Sequence, residues 1–167
     1  MNIFDMDNTL IMTDRLNTLA YNYALARLDL PKITGIKRIT KNDIFEKHPR
    51  LNPAQKRRLA EYKQRFFEEN LNLTTPNRAL FNMLNSADSV LWTRANKARA
   101  RSLLRYYRIE KAFKNIVYSS KKDIPGDVNY LCKICDCAPE DLIFYEDEPE
   151  IIKELKSLSL NIVVICD

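Results

Sequence analysis

Glycine is nearly missing from this chain: Gly35 and Gly126 are the only two in 167 residues. A glycine-rich phosphate loop or a dinucleotide-binding fingerprint needs several glycines at fixed spacing, so both are excluded. Histidine occurs once, at His48, which rules out a histidine-rich metal centre. His48 itself reads as a surface residue. No apolar run approaches the ~20 residues that a membrane-spanning helix requires, so no membrane partner is expected. The first residues run into aspartate without the basic start and apolar stretch of an export signal. The four cysteines, Cys132, Cys135, Cys137 and Cys166, are therefore expected as free thiols in a reducing cytoplasm. The spacing of Cys132, Cys135 and Cys137 is zinc-like, but no second ligand cluster accompanies it. Cys132 and Cys135 lie three apart on a predicted helix and read as packing residues.

What is present suits one globular domain, or one domain with a small insert. Hydrophobic residues make up 46% and charged residues 29%, enough for a real core. Ile3-Phe4 reads as a short strand. From Asp14 the apolar residues Leu16, Leu19, Ala20, Tyr23, Ala24 and Leu28 keep a helical period. Asn42 can cap a short helix that Pro49 interrupts. Asn52-Pro53 is a cap followed by proline in the first turn, predicting a helix to about Asn70. Thr75-Pro76 repeats the signal and predicts a helix ending near Asn85. Strands and helices then alternate: strands at 89–92, 116–118, 142–145 and 162–165, helices at 96–107, 126–134 and 149–158. This alternation predicts an α/β fold, a Rossmann-like parallel sheet covered on both faces by helices. Ligands of such sheets bind beyond the carboxyl ends of the strands.

Those ends carry the informative residues. The first strand ends in Asp5, Asp7 and Thr9. The next ends in Thr93, Arg94 and Asn96, the third is followed by Ser119, Ser120, Lys121 and Lys122, and the fourth ends in Glu146 and Asp147. Taken alone, D-x-D-x-T is only a turn-prone polar cluster. Brought to one sheet edge, carboxylates without His or Cys neighbours suit a hard divalent cation, Mg²⁺ above all. A lysine and a hydroxyl beside them suit a phosphoryl group. One carboxylate can attack phosphorus, and a second acid two residues on can protonate the leaving alkoxide and then activate water. The cation offsets the repulsion between the two acids.

In this order, D-M-D-N-T, V-L-W-T, Lys122 and F-Y-E-D resemble the four motifs of the haloacid dehalogenase superfamily of phosphohydrolases. The spacing and the Glu-Asp form of the last motif resemble the branch with β-phosphoglucomutase and phosphoglycolate-type phosphatases. The stretch from Leu91 to Arg105 is similar to the matching region of pyrimidine 5′-nucleotidase-like members. The resemblance implies Asp5 as nucleophile and metal ligand. It implies Asp7 as acid/base, lending its backbone carbonyl to the metal. Thr93 and Arg94 would hold phosphate oxygens, Lys122 would bridge nucleophile and phosphate, and Asp147 would bind Mg²⁺ with Glu146 beside it. Lys121 is a rival for the lysine role; Lys122 is preferred because Pro125 then falls at the usual offset. Asn8 stands where many members have glycine.

The resemblance divides the chain into an α/β core, 1–13 with 77–167, and a helical cap, 14–76, inserted between the first two motifs. From Lys32 to Arg65 eleven Lys/Arg face three acids, a balance of +8, so the rest of the chain is near −3 of a total of +5. Such charge either recruits an anionic substrate or is a solvated face. The expected activity is Mg²⁺-dependent hydrolysis of a phosphomonoester through an aspartyl-phosphate, on a small phosphorylated metabolite or a nucleotide. A phosphomutase or phosphotransferase would use the same site. A nucleic-acid-end phosphatase, or a non-catalytic binding module, would use the basic insert.

Overall fold

The structure, a computed structural model, describes residues 1–85 and 87–165. Cys166 lies outside the described residues. The chain opens with β1 (Asn2–Phe4) and β2 (Ile11–Met12), followed by three helices, α1 (Asp14–Ala26), α2 (Lys41–Lys47) and α3 (Pro53–Glu69). β3 (Thr75–Pro76) and α4 (Arg78–Met83) come next. The remainder alternates: β4 (Ser89–Thr93), α5 (Lys97–Tyr106), β5 (Asn115–Tyr118), α6 (Ile124–Cys135), β6 (Ile143–Glu146), α7 (Pro149–Ser157) and β7 (Asn161–Val164). Two compact units result, Met1–Ile11 with Pro76–Asp167, and Met12–Thr75.

The larger unit is built on a five-stranded sheet in the order β5-β4-β1-β6-β7. Every pairing in it is parallel. Alternation along the strands feeds both faces. Ile3, Val90, Trp92 and Phe144 join Val128, Leu131 and Cys135 of α6 and Ile151 and Leu155 of α7 in one buried cluster. On the other face Phe4 is in register with Leu91 and Tyr145, and its ring stacks on Tyr145 at 4.5 Å. Cys132 and Cys137 pack against the first cluster, and burial raises the thiol pKa of Cys132 and Cys135, as suits packing residues.

The smaller unit has its own core of Tyr21, Ala24, Leu25, Ile33, Ile39, Ile44, Leu51 and Leu59. Here the expected helix face is rotated. Leu16, Ala20 and Ala24 are buried, but Leu19 is 40% exposed, and Asn17, Tyr21 and Leu25 take the inner positions. Asn17 can be buried because its amide donates to Ile39 O at 2.7 Å. Thr40, not Asn42, caps α2, in a reciprocal box with Asp43. Asn52 caps α3 in the same way with Gln55. Thr75-Pro76 is strand rather than helix start; Asn77 caps the helix that follows.

Between β1 and β2 the chain turns through a buried loop. Asn8 N–H donates to Ile11 O and Ile11 N–H to Met6 O. Asn8 has φ 62°, a left-handed backbone that asparagine tolerates and β-branched residues do not. Asn8→Val should lower the unfolding free energy by about 1–3 kcal/mol, while Asn8→Gly should cost clearly less. Urea unfolding of the two variants checks this, and equal losses would contradict it.

Candidate active site

Sheet register assembles the site. Phe4 lies opposite Leu91 and Tyr145, so the next residue, Asp5, emerges between the ends of β4 and β6, beside Trp92 and Glu146. Its backbone N–H donates to Tyr145 O at 3.0 Å. Thr93 pairs in register with Tyr118, which brings the segment after β5 to the same edge.

That segment delivers a lysine, and it is Lys121. Its ammonium donates to Asp5 Oδ1 at 2.7 Å and to Glu146 Oε2 at 2.6 Å, with the side chain 1% exposed. Lys122 is exposed, so the expectation that Lys122 occupies this position is corrected. The reason is a local turn. Lys121 has φ 52°, and its N–H donates to Ser119 Oγ, which turns Lys121 inward and leaves Lys122 in solvent before α6. Counting back from Pro125 could not reveal that turn. Ser119 Oγ is fixed in turn by Asp127, and Trp92 Nε1 donates to the same carboxylate at 3.1 Å. The Lys121 ammonium also lies 4.2 Å from the centre of the Trp92 ring.

The remaining acids surround this pair. Glu146 Oε1 accepts from the backbone N–H groups of Asp147 and Glu148, so both its oxygens are engaged. Thr9 Oγ1 donates to Asp147 Oδ1 at 2.9 Å. Asp7 is held by a guanidinium, that of Arg99 on α5. Arg94 pairs with Glu148 at a partly exposed position. Thr93 is buried, and its Oγ1 accepts from Ala95 N–H at 3.1 Å. The structure thus brings Asp5, Glu146 and Asp147 together with Lys121, and it directs Arg94 to Glu148.

Arg99 escaped the sequence reading. With Asn96 as cap, Arg99 is the third residue of its helix, and helical side chains lean toward the helix start. That lean is what sends it back to the strand ends, and it was legible once the cap was recognised.

Carboxylates crowd the centre: Lys121 faces Asp5 and Glu146, Arg99 faces Asp7, and Asp147 stands beside Asp5 and Glu146. Burial above all pushes Asp5 up to about 6, with Glu146 and Asp7 adding to the rise and Lys121 opposing it. Burial likewise raises Glu146 against the pull of Lys121. Carboxylate oxygens of Asp5, Glu146 and Asp147 all lie within 4.8 Å of one another, the one such group of potential metal ligands among the described residues. An all-oxygen donor set with excess negative charge fits a hard divalent cation.

Fold and site together define an α/β enzyme with an acidic centre, suited to a cation, at the strand ends. A family model described as haloacid dehalogenase-like hydrolase matches residues 2–165, and the chain belongs to that family. Solved structures of the same fold include a predicted phosphoglycolate phosphatase from Haemophilus somnus, 18% identical, with TM-score 0.82 over 98% of this chain and 84% of that one. A candidate β-phosphoglucomutase from Thermotoga maritima is 24% identical, with TM-score 0.72 over 96% and 82%. CbbY from Rhodobacter sphaeroides, solved in complex with phosphate, is 16% identical, with TM-score 0.71 over 98% and 84%. Comparison with curated proteins finds no match. No helix among the described residues is long and apolar enough to cross a membrane.

The shift at Asp5 has a consequence for stability. Its ordinary value is 3.8, so between about 4 and 6 the folded protein holds a proton that the unfolded chain has lost. Ionised Asp5 therefore weighs against folding above about pH 6, and the weight lifts as pH falls. Metal-free wild type should gain stability relative to Asp5→Asn between about pH 7.5 and 5, by about 1 kcal/mol. Urea unfolding of both proteins in EDTA measures the gap; a flat or opposite trend would contradict the assignment.

Proposed function

We propose that this hydrolase is a Mg²⁺-dependent phosphomonoesterase working through an aspartyl-phosphate on Asp5. The observation that carries the reading is Asp5 itself: a carboxylate at the end of the central strand, paired with buried Lys121 and grouped with Glu146 and Asp147. Phosphatase names among the structural neighbours, and the phosphate held by CbbY, support it.

Asp5, Asp147 and Glu146 would hold Mg²⁺, with the Asp7 backbone carbonyl as a further ligand. When bound, the ion supplies charge neutralisation at the transferring phosphoryl oxygens. The Asp5 carboxylate attacks phosphorus, an Asp5–phosphorus bond forms, and the ester oxygen departs with a proton from Asp7. Asp7 then takes a proton from water, whose oxygen displaces Asp5 and releases phosphate. Thr93 Oγ1 accepts from Ala95 N–H, so its own hydrogen remains for a phosphate oxygen. Lys121 offsets charge on Asp5 and on the incoming phosphate, and Arg99 positions Asp7. Arg94, tied to Glu148, reaches phosphate only by leaving that partner.

Under this reading the insert, residues 14–76, is the substrate-selecting cap. Its excess positive charge favours an anionic metabolite or nucleotide. The three free thiols Cys132, Cys135 and Cys137 support a cytoplasmic setting. A phosphomutase reading draws on the Thermotoga maritima neighbour and uses the same first half-reaction.

Turnover of p-nitrophenyl phosphate with Mg²⁺ tests the proposal. Activity should vanish in EDTA and return with Mg²⁺. Asp5→Asn should lose at least about a thousandfold in kcat. Lys121→Met should lose about a hundredfold or more, and Lys122→Met should stay within a few-fold of wild type. Metal-independent turnover, or an active Asp5→Asn protein, would overturn the reading. A Lys122 effect larger than that of Lys121 would overturn the lysine assignment.

A further inference from the structure

The unit Met12–Thr75 holds a cavity that the hydrolytic site does not use. It measures about 320 Å³ and is bounded by Leu30, Lys47, His48, Pro49, Arg50, Leu51 and Gln55. That lies at the lower end of the range of about 300–1,000 Å³ for small-molecule sites. The sequence makes it by breaking a helix. Pro49 stops α2 just after Lys47, His48 N–H donates to Ile44 O, and Leu51 N–H donates to His48 O. This turn gathers the consecutive residues from Lys47 to Leu51 on one wall, and Gln55 of α3 joins them.

The polar part of the lining donates hydrogen bonds and offers no carboxylate. Lys47 and Arg50 carry N–H donors only, and the guanidinium presents its donors as a planar fork that matches phosphate. Gln55 Oε1 is occupied by Asn52 N–H, which leaves the amide hydrogens of Gln55 as donors. The nearest acid in sequence on α2 outside the lining is Glu46, on the turn that carries Lys47; Asp43, one turn back, is bonded to Thr40, and the field of Lys47 helps lower its pKa. Lys47 and Arg50 are exposed, so their charged ends are free to meet a ligand from solvent. His48 also lines the cavity, while its Nε2 is closed off from solvent and meets no hydrogen-bond partner among the described residues. The carbonyl end of α2 weakly opposes an anion here, but two full positive charges outweigh a helix end. Leu30, Pro49 and Leu51 give the cavity an apolar side as well.

We propose that this cavity binds a small organic phosphate. Lys47 and Arg50 hold the phosphate oxygens, the Gln55 amide completes the contacts, and the organic part lies along Leu30, Pro49 and Leu51. The site shares no residue with the Asp5 centre and stands whether or not that centre is a phosphatase.

The chain contains one histidine and one tryptophan, which makes the test specific. The His48 ring reports on this cavity. The Trp92 indole, bonded to Asp127 and lying against Lys121, reports on the Asp5 centre. The probe is phenylphosphonate, which is not hydrolysed, titrated into the full chain at low salt and followed by NMR of both side chains. His48 signals should move saturably, and sodium chloride at matched ionic strength should not reproduce the movement. Inorganic phosphate, lacking an organic part, should bind several-fold more weakly. Arg50→Glu should weaken the His48 titration at least about tenfold while the Trp92 response stays as in wild type. Lys47→Gln serves as the second variant should Arg50→Glu fail to fold, and it should weaken binding in the same direction. No saturable movement of His48, or a movement that sodium chloride reproduces, would overturn the site. Movement of Trp92 alone would speak for the Asp5 centre and against this one.

Discussion

A buried ammonium between two carboxylates organises the whole centre. Lys121 reaches Asp5 and Glu146 from a position almost sealed from solvent, with the Trp92 ring against it. Burying such a charge is tolerable only with good partners, and removing one partner strands the others. This explains why so much local structure serves it. The left-handed turn at Lys121, the Ser119 hydroxyl, the Asp127 carboxylate and the Trp92 indole all converge on its placement. Glu146 is held just as firmly, by Lys121 on one oxygen and two backbone N–H groups on the other. Asp5 is thereby set in a rigid frame, which is what the proposed attack on phosphorus requires.

Carboxylates still crowd this centre. Burial above all, with Glu146 and Asp7 adding to it, raises the pKa of Asp5 against the pull of Lys121. A divalent ion at these oxygens would favour the ionised form of Asp5 further. The same crowding of carboxylates that weakens the metal-free fold suits the centre to a hard cation. The smaller unit solves its own charge problem differently: Lys56 and Lys63 of α3 lie over the rings of Phe45 and Tyr21, so part of its basic surface also packs.

Much of this was legible in the residues, and the failures were local. Strand-helix alternation after Ser89 leads directly to a parallel sheet, and the strand ends name Asp5, Asp7, Thr93, Glu146 and Asp147. Choosing between Lys121 and Lys122 depended on a single left-handed residue, which spacing from Pro125 does not encode. The α1 face was misplaced because a buried Asn17, satisfied by Ile39 O, looks polar in a hydropathy pattern. Thr75-Pro76 carries the same cap-and-proline pattern as Asn52-Pro53, yet it is strand, and Asn77 takes the capping role. The Asp7–Arg99 pair joins residues 92 positions apart, so only the helix lean of Arg99 could have announced it.

The central claim is that Asp5 carries the phosphoryl group, and the most direct measurement is to catch it there. Asp7→Asn protein mixed with p-nitrophenyl phosphate and Mg²⁺, quenched in acid and analysed by intact and peptide mass, should carry a phosphoryl adduct on Asp5. A good leaving group needs little protonation, whereas the second step still needs the base that this substitution removes. The adduct should therefore outlive that of the wild type. An adduct on another residue, or none while Mg²⁺ and beryllofluoride still bind, would contradict the account.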